Sequence, residues 1–326
     1  MADAGDKIPT VFVLDGGFST QLSRHVGSTA DGDPLWTARF LQSHSAEIVD
    51  THLDFLRAGS NIFMTNTYQA SVGGFIKYLG ATAEEGYGLI THAVELAKRA
   101  RDTFLGECKS DPPARRPLIA GSVGPYGAYL HDGSEYSGNY ADVTLAERMR
   151  EWHRPRIEAL VEGGVDLLAF ETIPCLKEAE ILVELLKEYP NMRAWLSFSC
   201  KDVTSLAHGE DFKEAVIKCW EMNPDQLVAI GVNCCPPSIV GKLFRGINNE
   251  RSLVIPLITY PNSGEKYSPD VGWVDGDECE GLDTYVQEWL DAGVRYVGGC
   301  CRTHAEDIAH IKNQVGTWMM MKSASI

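Results

Sequence analysis

The chain has no stretch approaching the roughly 20 consecutive apolar residues that a membrane span needs. No basic run interrupts its acidic balance: 29 Lys and Arg stand against 45 Asp and Glu, a formal net charge of −16. Such a field repels phosphate backbones and anionic lipid, so nucleic acid and membrane are not expected as partners. Met1 to Pro9 are polar and lack the apolar core of a secretory leader, which sets the expectation of a cytoplasmic protein. A disulfide framework is also missing, because the nine cysteines are odd in number and scattered, with two adjacent pairs. In a reducing compartment, clustered cysteines are read first as metal-binding or catalytic groups. Metallohydrolase signatures are absent too: the first candidate strand has no His-x-His pair and no His-Glu-x-x-His occurs anywhere. The histidines are therefore read as non-ligating, with His304, close to a cysteine pair, the one that has a route to a metal.

What is present is a repeated alternation. Short β-branched or apolar runs end in Gly, Asn, Glu or Cys, and each is followed by an amphipathic stretch with apolar residues at helical spacing. The candidate strands are Val11–Gly17, Asn61–Tyr68, Leu118–Pro125, Asp166–Thr172, Arg193–Cys200, Leu227–Cys234, Leu253–Asn262 and Val294–Cys301. Between them the spacing predicts helices such as Ala46–Ala58, Ile90–Thr103, Leu145–Glu162, Lys177–Lys187 and Ala305–Val315. The glycines of "RAGS", "VEGG" and "DAG" mark helix ends ahead of strands. Eight β/α units without a long linker favour a closed (β/α)8 TIM barrel of the α/β class over an open sheet. The expectation is a single barrel domain over residues 1–326, with short flexible termini at about 1–9 and 317–326. Residues Gly127 to Val143 form the longest irregular insertion, read as an active-site loop because loops after barrel strands lie on the catalytic face.

Barrel enzymes take their chemistry from strand C-termini. Here those ends deliver Asp15-Gly16-Gly17, Thr65-Asn66, Ser122, Glu171, Asn233-Cys234-Cys235 and Cys300-Cys301. Three thiols from the sixth and eighth strands can converge on one ion, and three thiolates plus an open position is the ligand set of a catalytic zinc site. One member of the Cys234-Cys235 pair suffices; Cys234, directly after Asn233, is the choice, with Cys235 the ambiguous member. Cys108, Cys175, Cys200, Cys219 and Cys279 read as small buried hydrophobes.

The segments "DGGFSTQL" (15–22), "PLWTARFL" (34–41), "TNTYQAS" (65–71), "GSVGPYGAYL" (121–130), "ETIP" (171–174), "GVNCCPP" (231–237) and "GGCCRTHAEDI" (298–308) are recognisable together. On them the chain resembles the homocysteine S-methyltransferase family, related to betaine-homocysteine methyltransferase, from about Val11 to Ile311. The resemblance implies that Cys234, Cys300 and Cys301 hold zinc and that the homocysteine sulfur takes the open position. It also implies that Glu171 meets the amino-acid ammonium and that the Asp15-Gly16-Gly17 turn receives the carboxylate through backbone N–H groups. Asp15 and Glu171 are the candidate catalytic carboxylates, and Thr65, Asn66, Ser122 and Asn233 complete the candidate substrate shell.

The implied reaction is methyl transfer from a sulfonium, S-methylmethionine or S-adenosylmethionine, to the homocysteine thiolate, giving methionine. A sulfonium carries no donor hydrogens, so aromatic faces and carboxylates should recognise it; Trp36, Tyr68, Tyr126 and Glu135 are the candidates. "SFSCKDVTSLAHGEDF" (197–212) is more similar to the S-methylmethionine-using branch, and little sequence follows Val315, which together favour a sulfonium donor and a monomer. The sequence leaves open a betaine-type enzyme, a selenocysteine or selenohomocysteine methyltransferase on the same zinc site, and a non-enzymatic thiol-based redox sensor.

Overall fold

The computed structural model describes residues 10–324 except 29, 31, 111–112, 250–253, 269–271 and 275–280. Eight parallel strands form a nearly closed barrel: Phe12–Val13, Ile62–Met64, Leu118–Val123, Leu167–Ile173, Ala194–Phe198, Leu227–Asn233, Leu257–Tyr260 and Val294–Val297. From the second strand to the eighth each pairs with its sequence neighbour, and the first pairs with the eighth. The seam between the first and second strands is closed partly by side chains. Asn61 donates its backbone N–H to the Val13 carbonyl (2.7 Å) and accepts the Val13 N–H on its side-chain oxygen (3.0 Å), while the Met64 N–H donates to Asp15 Oδ2 (2.8 Å). This is the (β/α)8 TIM barrel the β/α alternation predicts.

The barrel interior is filled by Leu14, Ile62, Ala120, Leu167, Ala169, Trp195, Ala229, Ile258 and Tyr260. Alternation along each strand puts these inside and Val, Ile, Leu and Phe outside, under the helices. Three alanines leave room for the Trp195 and Tyr260 rings, which meet edge to face at 6.2 Å. Truncating Trp195 to Ala in so filled a space costs about 3–5 kcal/mol. Gly231 is required by contact: a Cβ there would lie 1.8 Å from the Ile258 carbonyl oxygen of the neighbouring strand.

Several boundaries differ from the sequence expectation. The first strand pairs over only two residues, and the segment from Leu14 to Gly17 continues as irregular chain. The helix expected at Ile90–Thr103 runs Ala83–Glu107, because Thr82 and Glu85 form a reciprocal capping box that starts it in a polar stretch without periodicity. The last helix runs Ala305–Ser323 rather than ending at Val315, so residues 317–323 of the expected tail are helical. Trp318 is buried and its indole N–H donates to Asp291 (2.9 Å), so this last turn has tertiary partners that the sequence pattern did not reveal. The expected tail at 1–9 lies outside the described residues. The insertion at 127–143 is not irregular: it holds the short helices Tyr126–Leu130 and Tyr140–Val143 and a 3-10 turn at Ser134–Tyr136. Among the described residues no helix is long and apolar enough to cross a membrane.

Candidate metal and substrate site

The C-terminal rim is held by one strained position inside the fourth strand, where its register shifts, and one in the turn after the sixth. Thr172 and Cys234 adopt positive φ angles of 59° and 50°, a conformation that costs a side-chain-bearing residue on the order of 1–3 kcal/mol. Asn233 offsets the strain at Thr172. Its amide oxygen accepts the Thr172 N–H (2.7 Å) and the Ser197 hydroxyl (2.8 Å), and its amide nitrogen donates to Thr172 Oγ1 (2.8 Å). These three bonds make Asn233 a positioning residue, and they leave the second hydrogen of its amide unused. The turned backbone donates the Cys234 N–H to the Tyr260 carbonyl (3.1 Å).

Across the barrel, the Cys300 N–H donates to the Pro261 carbonyl (2.8 Å) and the Gly299 N–H to the Asp15 carbonyl (3.0 Å). A Cβ on Gly17 would lie 2.5 Å from the Cys300 carbonyl oxygen, so a glycine there lets the first-strand turn pack against the cysteine loop. These bonds bring the Cys234, Cys300 and Cys301 sulfurs within 4.8 Å of one another. Cys234 to Cys301 is 3.6 Å and Cys300 to Cys301 is 4.0 Å, as free thiols rather than a disulfide. Zn–S bonds of 2.3 Å at tetrahedral angles separate sulfurs by about 3.8 Å. Donor set and spacing therefore fit a soft metal ion such as zinc. Hydrogen bonds from Cys300 and then Cys301 hold the Cys234 thiol well below its usual range, against burial, and the same contacts push Cys300 up.

Cys235, the ambiguous member, is buried in the apolar layer outside the barrel and is not among the three converging sulfurs. His304 caps the last helix, with Asp307 accepting its backbone N–H (2.7 Å) and its ring facing Gln21 (3.3 Å), so it serves the helix rather than the sulfur cluster. Of the cysteines read as buried hydrophobes, Cys175 and Cys219 are buried, Cys108 and Cys200 are half-buried, and Cys279 lies outside the described residues.

Beside the sulfurs sit two buried carboxylates. Glu171 accepts a hydrogen bond from Ser122 and has the Tyr260 hydroxyl near it, both favouring the charged form, yet burial pushes it up to about 7, with the Cys234 charge adding to the effect. Burial likewise raises Asp15 well above the carboxylate range, opposed by the Met64 N–H and reinforced by the Glu171 charge. Asp15 Oδ1 and Asn66 Oδ1 are buried without a partner. Two adjacent carboxylates with an orphaned oxygen make a site for a cation that carries several donor hydrogens. The Asn66 amide nitrogen donates one N–H to the Thr37 carbonyl (3.0 Å). The Thr65 hydroxyl is spent on Thr67 (2.7 Å) and on the Ser122 N–H (3.0 Å), so Thr65 ties strands together instead of facing the site. One expectation for the glycine turn changes as well: the Gly17 N–H already donates to the Thr303 carbonyl (3.0 Å) and hydroxyl (2.9 Å). Helix Phe18–Val26 follows without a side-chain cap, so its first-turn amides are the donors that remain for an anion.

The outer rim is aromatic and acidic. Trp36 meets Tyr68 edge to face at 5.7 Å, and burial, then the charges of Glu135 and Cys234, raises the Tyr68 hydroxyl well above its usual range. Glu135 has a buried, unpartnered Oε2, and burial pushes this carboxyl up to about 7. Tyr126 does not join them. It is 3 % exposed and packs among Tyr129, Tyr140 and Trp152, which spends the ring on the core behind the rim. That layer is anchored by buried Glu178, which accepts from the Tyr126 N–H (2.6 Å), the Tyr140 hydroxyl and His153 (2.7 Å). Buried Arg156 donates to the carbonyls of Gly124 (2.9 Å), Thr67 (3.2 Å) and Tyr68 (2.8 Å). Sequence reasoning missed Tyr260, Ser197 and Tyr136. The Tyr260 hydroxyl lies 2.6 Å from Ser197 and accepts the Trp195 indole N–H (3.0 Å). The Tyr136 hydroxyl lies 3.5 Å from Cys234 Sγ. Strand alternation could have flagged the first two; only the reading of 127–143 as an active-site loop pointed toward the third.

The sequence matches the homocysteine S-methyltransferase family over residues 12–315. It is 46% identical over 312 residues to a betaine-homocysteine S-methyltransferase of Drosophila melanogaster, covering 94% of each chain. It is 39% identical to a selenocysteine Se-methyltransferase of Brassica oleracea var. italica, covering 96% of this chain and 91% of that one. Among solved structures, the metallated form of the Escherichia coli homocysteine methyltransferase MmuM superposes with a TM-score of 0.81 at 39% identity, covering 95% of this chain and 97% of that one.

Proposed function

The chain belongs to the homocysteine S-methyltransferase family, and on that premise we propose that it moves a methyl group from a sulfonium donor to the sulfur of homocysteine, using zinc held by Cys234, Cys300 and Cys301. The observation that carries this reading is the convergence of three sulfurs, 3.6 and 4.0 Å apart, beside a buried carboxylate pair with an unpartnered oxygen. When bound, the ion supplies the positive charge that turns a substrate thiol into a thiolate at neutral pH while leaving it nucleophilic.

The chain's own residues do the rest. Glu171 and Asp15 hold the ammonium of the amino acid, and the first-turn amides of Phe18–Val26 hold its carboxylate. Fixing that end directs the two-methylene side chain of homocysteine toward the cysteines. The donor approaches from the outer rim, where the faces of Trp36 and Tyr68 and the carboxylate of Glu135 surround a cation without donor hydrogens. As the new carbon–sulfur bond forms, the sulfonium carbon–sulfur bond breaks and its electron pair leaves with the thioether. The transfer needs no proton, so approach geometry is the protein's main contribution. S-methylmethionine carries a net positive charge and betaine none; a rim that sets the Glu135 carboxyl near that of Asp132 favours the former.

A betaine donor is the second reading, favoured by the name of the Drosophila relative. Selenocysteine is an alternative acceptor on the same site, favoured by the Brassica relative. Product analysis with homocysteine and each of S-methylmethionine, S-adenosylmethionine and betaine tests the reading. Methionine formed fastest with a sulfonium supports it; turnover with betaine alone, or none with homocysteine, rejects it.

A further inference from the structure

A site built from three cysteine thiolates and a substrate thiolate has a selectivity problem, because every one of those sulfurs is a nucleophile within reach of an activated methyl group. Methylation of a cysteine would convert a charged ligand into a neutral thioether and weaken the metal site. Tyr136 places its hydroxyl 3.5 Å from Cys234 Sγ, and the Cys301 backbone N–H also donates to that sulfur.

The placement of Tyr136 is built by the insertion. The Gly138 N–H donates to the Ser134 carbonyl (2.7 Å), the Ser134 N–H donates to Asp132 (3.0 Å), and the Ser199 hydroxyl donates to the Glu135 carbonyl (2.9 Å). The turn also lies hard against its own base, since a Cβ on Gly127 would be 2.7 Å from the Glu135 nitrogen. Yet the residue is 45% exposed, so core packing is no reason for a large aromatic there.

We propose that Tyr136 shields Cys234: its hydroxyl occupies a lone pair of that sulfur, lowers its nucleophilicity and steers the methyl group to the substrate sulfur. This rests on the methyltransferase reading above. In the step it suppresses, the Cys234 thiolate attacks the donor methyl carbon, a carbon–Sγ bond forms, the donor's carbon–sulfur bond breaks, and the electron pair leaves on the departing thioether. A hydrogen bond removed from a thiolate is a rate effect, and loss of a single neutral donor corresponds to roughly threefold to tenfold.

The test uses the metal-loaded protein without homocysteine, treated with iodomethane, which transfers methyl with iodide as leaving group and needs neither donor site nor acceptor. Peptide mapping follows methylation at Cys234, Cys300 and Cys301, and metal release is followed in parallel. In Tyr136→Phe, methylation of Cys234 should be roughly threefold to tenfold faster than in the wild type, with rates at Cys300 and Cys301 unchanged and metal lost in step. Equal Cys234 rates in wild type and Tyr136→Phe overturn the proposal. It is also overturned if Tyr136→Ala accelerates and Tyr136→Phe does not, because the ring alone would then be the shield. Failure of the homocysteine reading would show separately, as absent wild-type turnover with every donor.

Discussion

Glu171→Gln keeps the shape of a buried side chain and removes the charge proposed to meet the ammonium of homocysteine. The carboxylate is fully enclosed, so its pairing with a substrate cation is little screened, and a lost charge-assisted hydrogen bond should weaken binding by about 1.5–3 kcal/mol. That is roughly tenfold to 150-fold in Kd, and Asp15 beside it should keep the loss toward the lower end. The pH dependence follows from the same burial. Glu171 sits raised from 4.5 to about 7 by burial first and by the Cys234 charge among lesser causes. Bound metal offsets the Cys234 charge and so lowers the midpoint, while burial continues to raise it. Above it the carboxylate is ionised and the wild type holds its full advantage. Below it the group must lose a proton before it can pair, and that advantage shrinks by about tenfold per pH unit. The homocysteine thiol also loses a proton on binding, but it does so equally in both proteins. The ratio of wild-type to variant affinity therefore isolates Glu171. Titration calorimetry of both metal-loaded proteins between pH 5 and 8.5 should give a ratio that is flat at the alkaline end and falls toward one at the acid end, with metal content equal throughout. A ratio near one at all pH values, or a large ratio independent of pH, would refute the reasoning.

Three further outcomes are expected. Purified reduced protein should carry close to one zinc per chain; Cys300→Ala should lose most of it and Cys235→Ala, altering only the outer apolar layer, should keep it, as elemental analysis would show. Asn233→Ala leaves Thr172 strained and the Ser197 hydroxyl without its acceptor, so chemical denaturation should report a loss of about 2–4 kcal/mol, and unchanged stability would mean the turn needs no such support. Homocysteine binding to the zinc form should release a proton that methionine binding does not, read by calorimetry in two buffers of different ionisation enthalpy; equal release by both would place the thiol away from the metal.

The barrel was legible because its signals are periodic. Strand interiors such as Leu118–Val123 and Leu167–Ile173 carry apolar runs that only a buried sheet explains, and helices such as Ser45–Ala58 end at a glycine with positive φ. Boundaries were less legible where a local hydrogen bond outweighs pattern. Thr82 starts a helix in polar sequence, and Trp318 extends the last one beyond its apolar repeat. The three converging cysteines were legible from their positions at strand ends. The duties of their neighbours were not, because a residue type does not say which of its atoms are already spent. Thr65, Gly17 and Asn233 have the chemistry of substrate contacts, and each is committed to a strand, a turn or a strained neighbour.

Those spent residues explain how so open a rim can hold a defined geometry. Positive φ at Thr172 accompanies the register shift near the end of the fourth strand and at Cys234 turns the chain after the sixth, and Asn233 supplies the hydrogen bonds that hold the first of these. Tyr260, reached by Trp195 from below and bonded to Ser197 at the side, lies close enough to Glu171 for its hydroxyl to favour the ionised carboxylate. The inner barrel layer and the carboxylate thus meet at the Tyr260 hydroxyl. A substitution at Trp195 or Ser197, which touch no substrate, should therefore alter the environment of Glu171 before it alters the metal. Replacing Ser197 by Ala removes a hydroxyl that holds both Asn233 and Tyr260, so it should loosen the ammonium site and leave zinc content unchanged. Homocysteine affinity falling while zinc stays at one per chain is the expected pattern; loss of both together would mean that the sulfur cluster and the carboxylate pair share a single support.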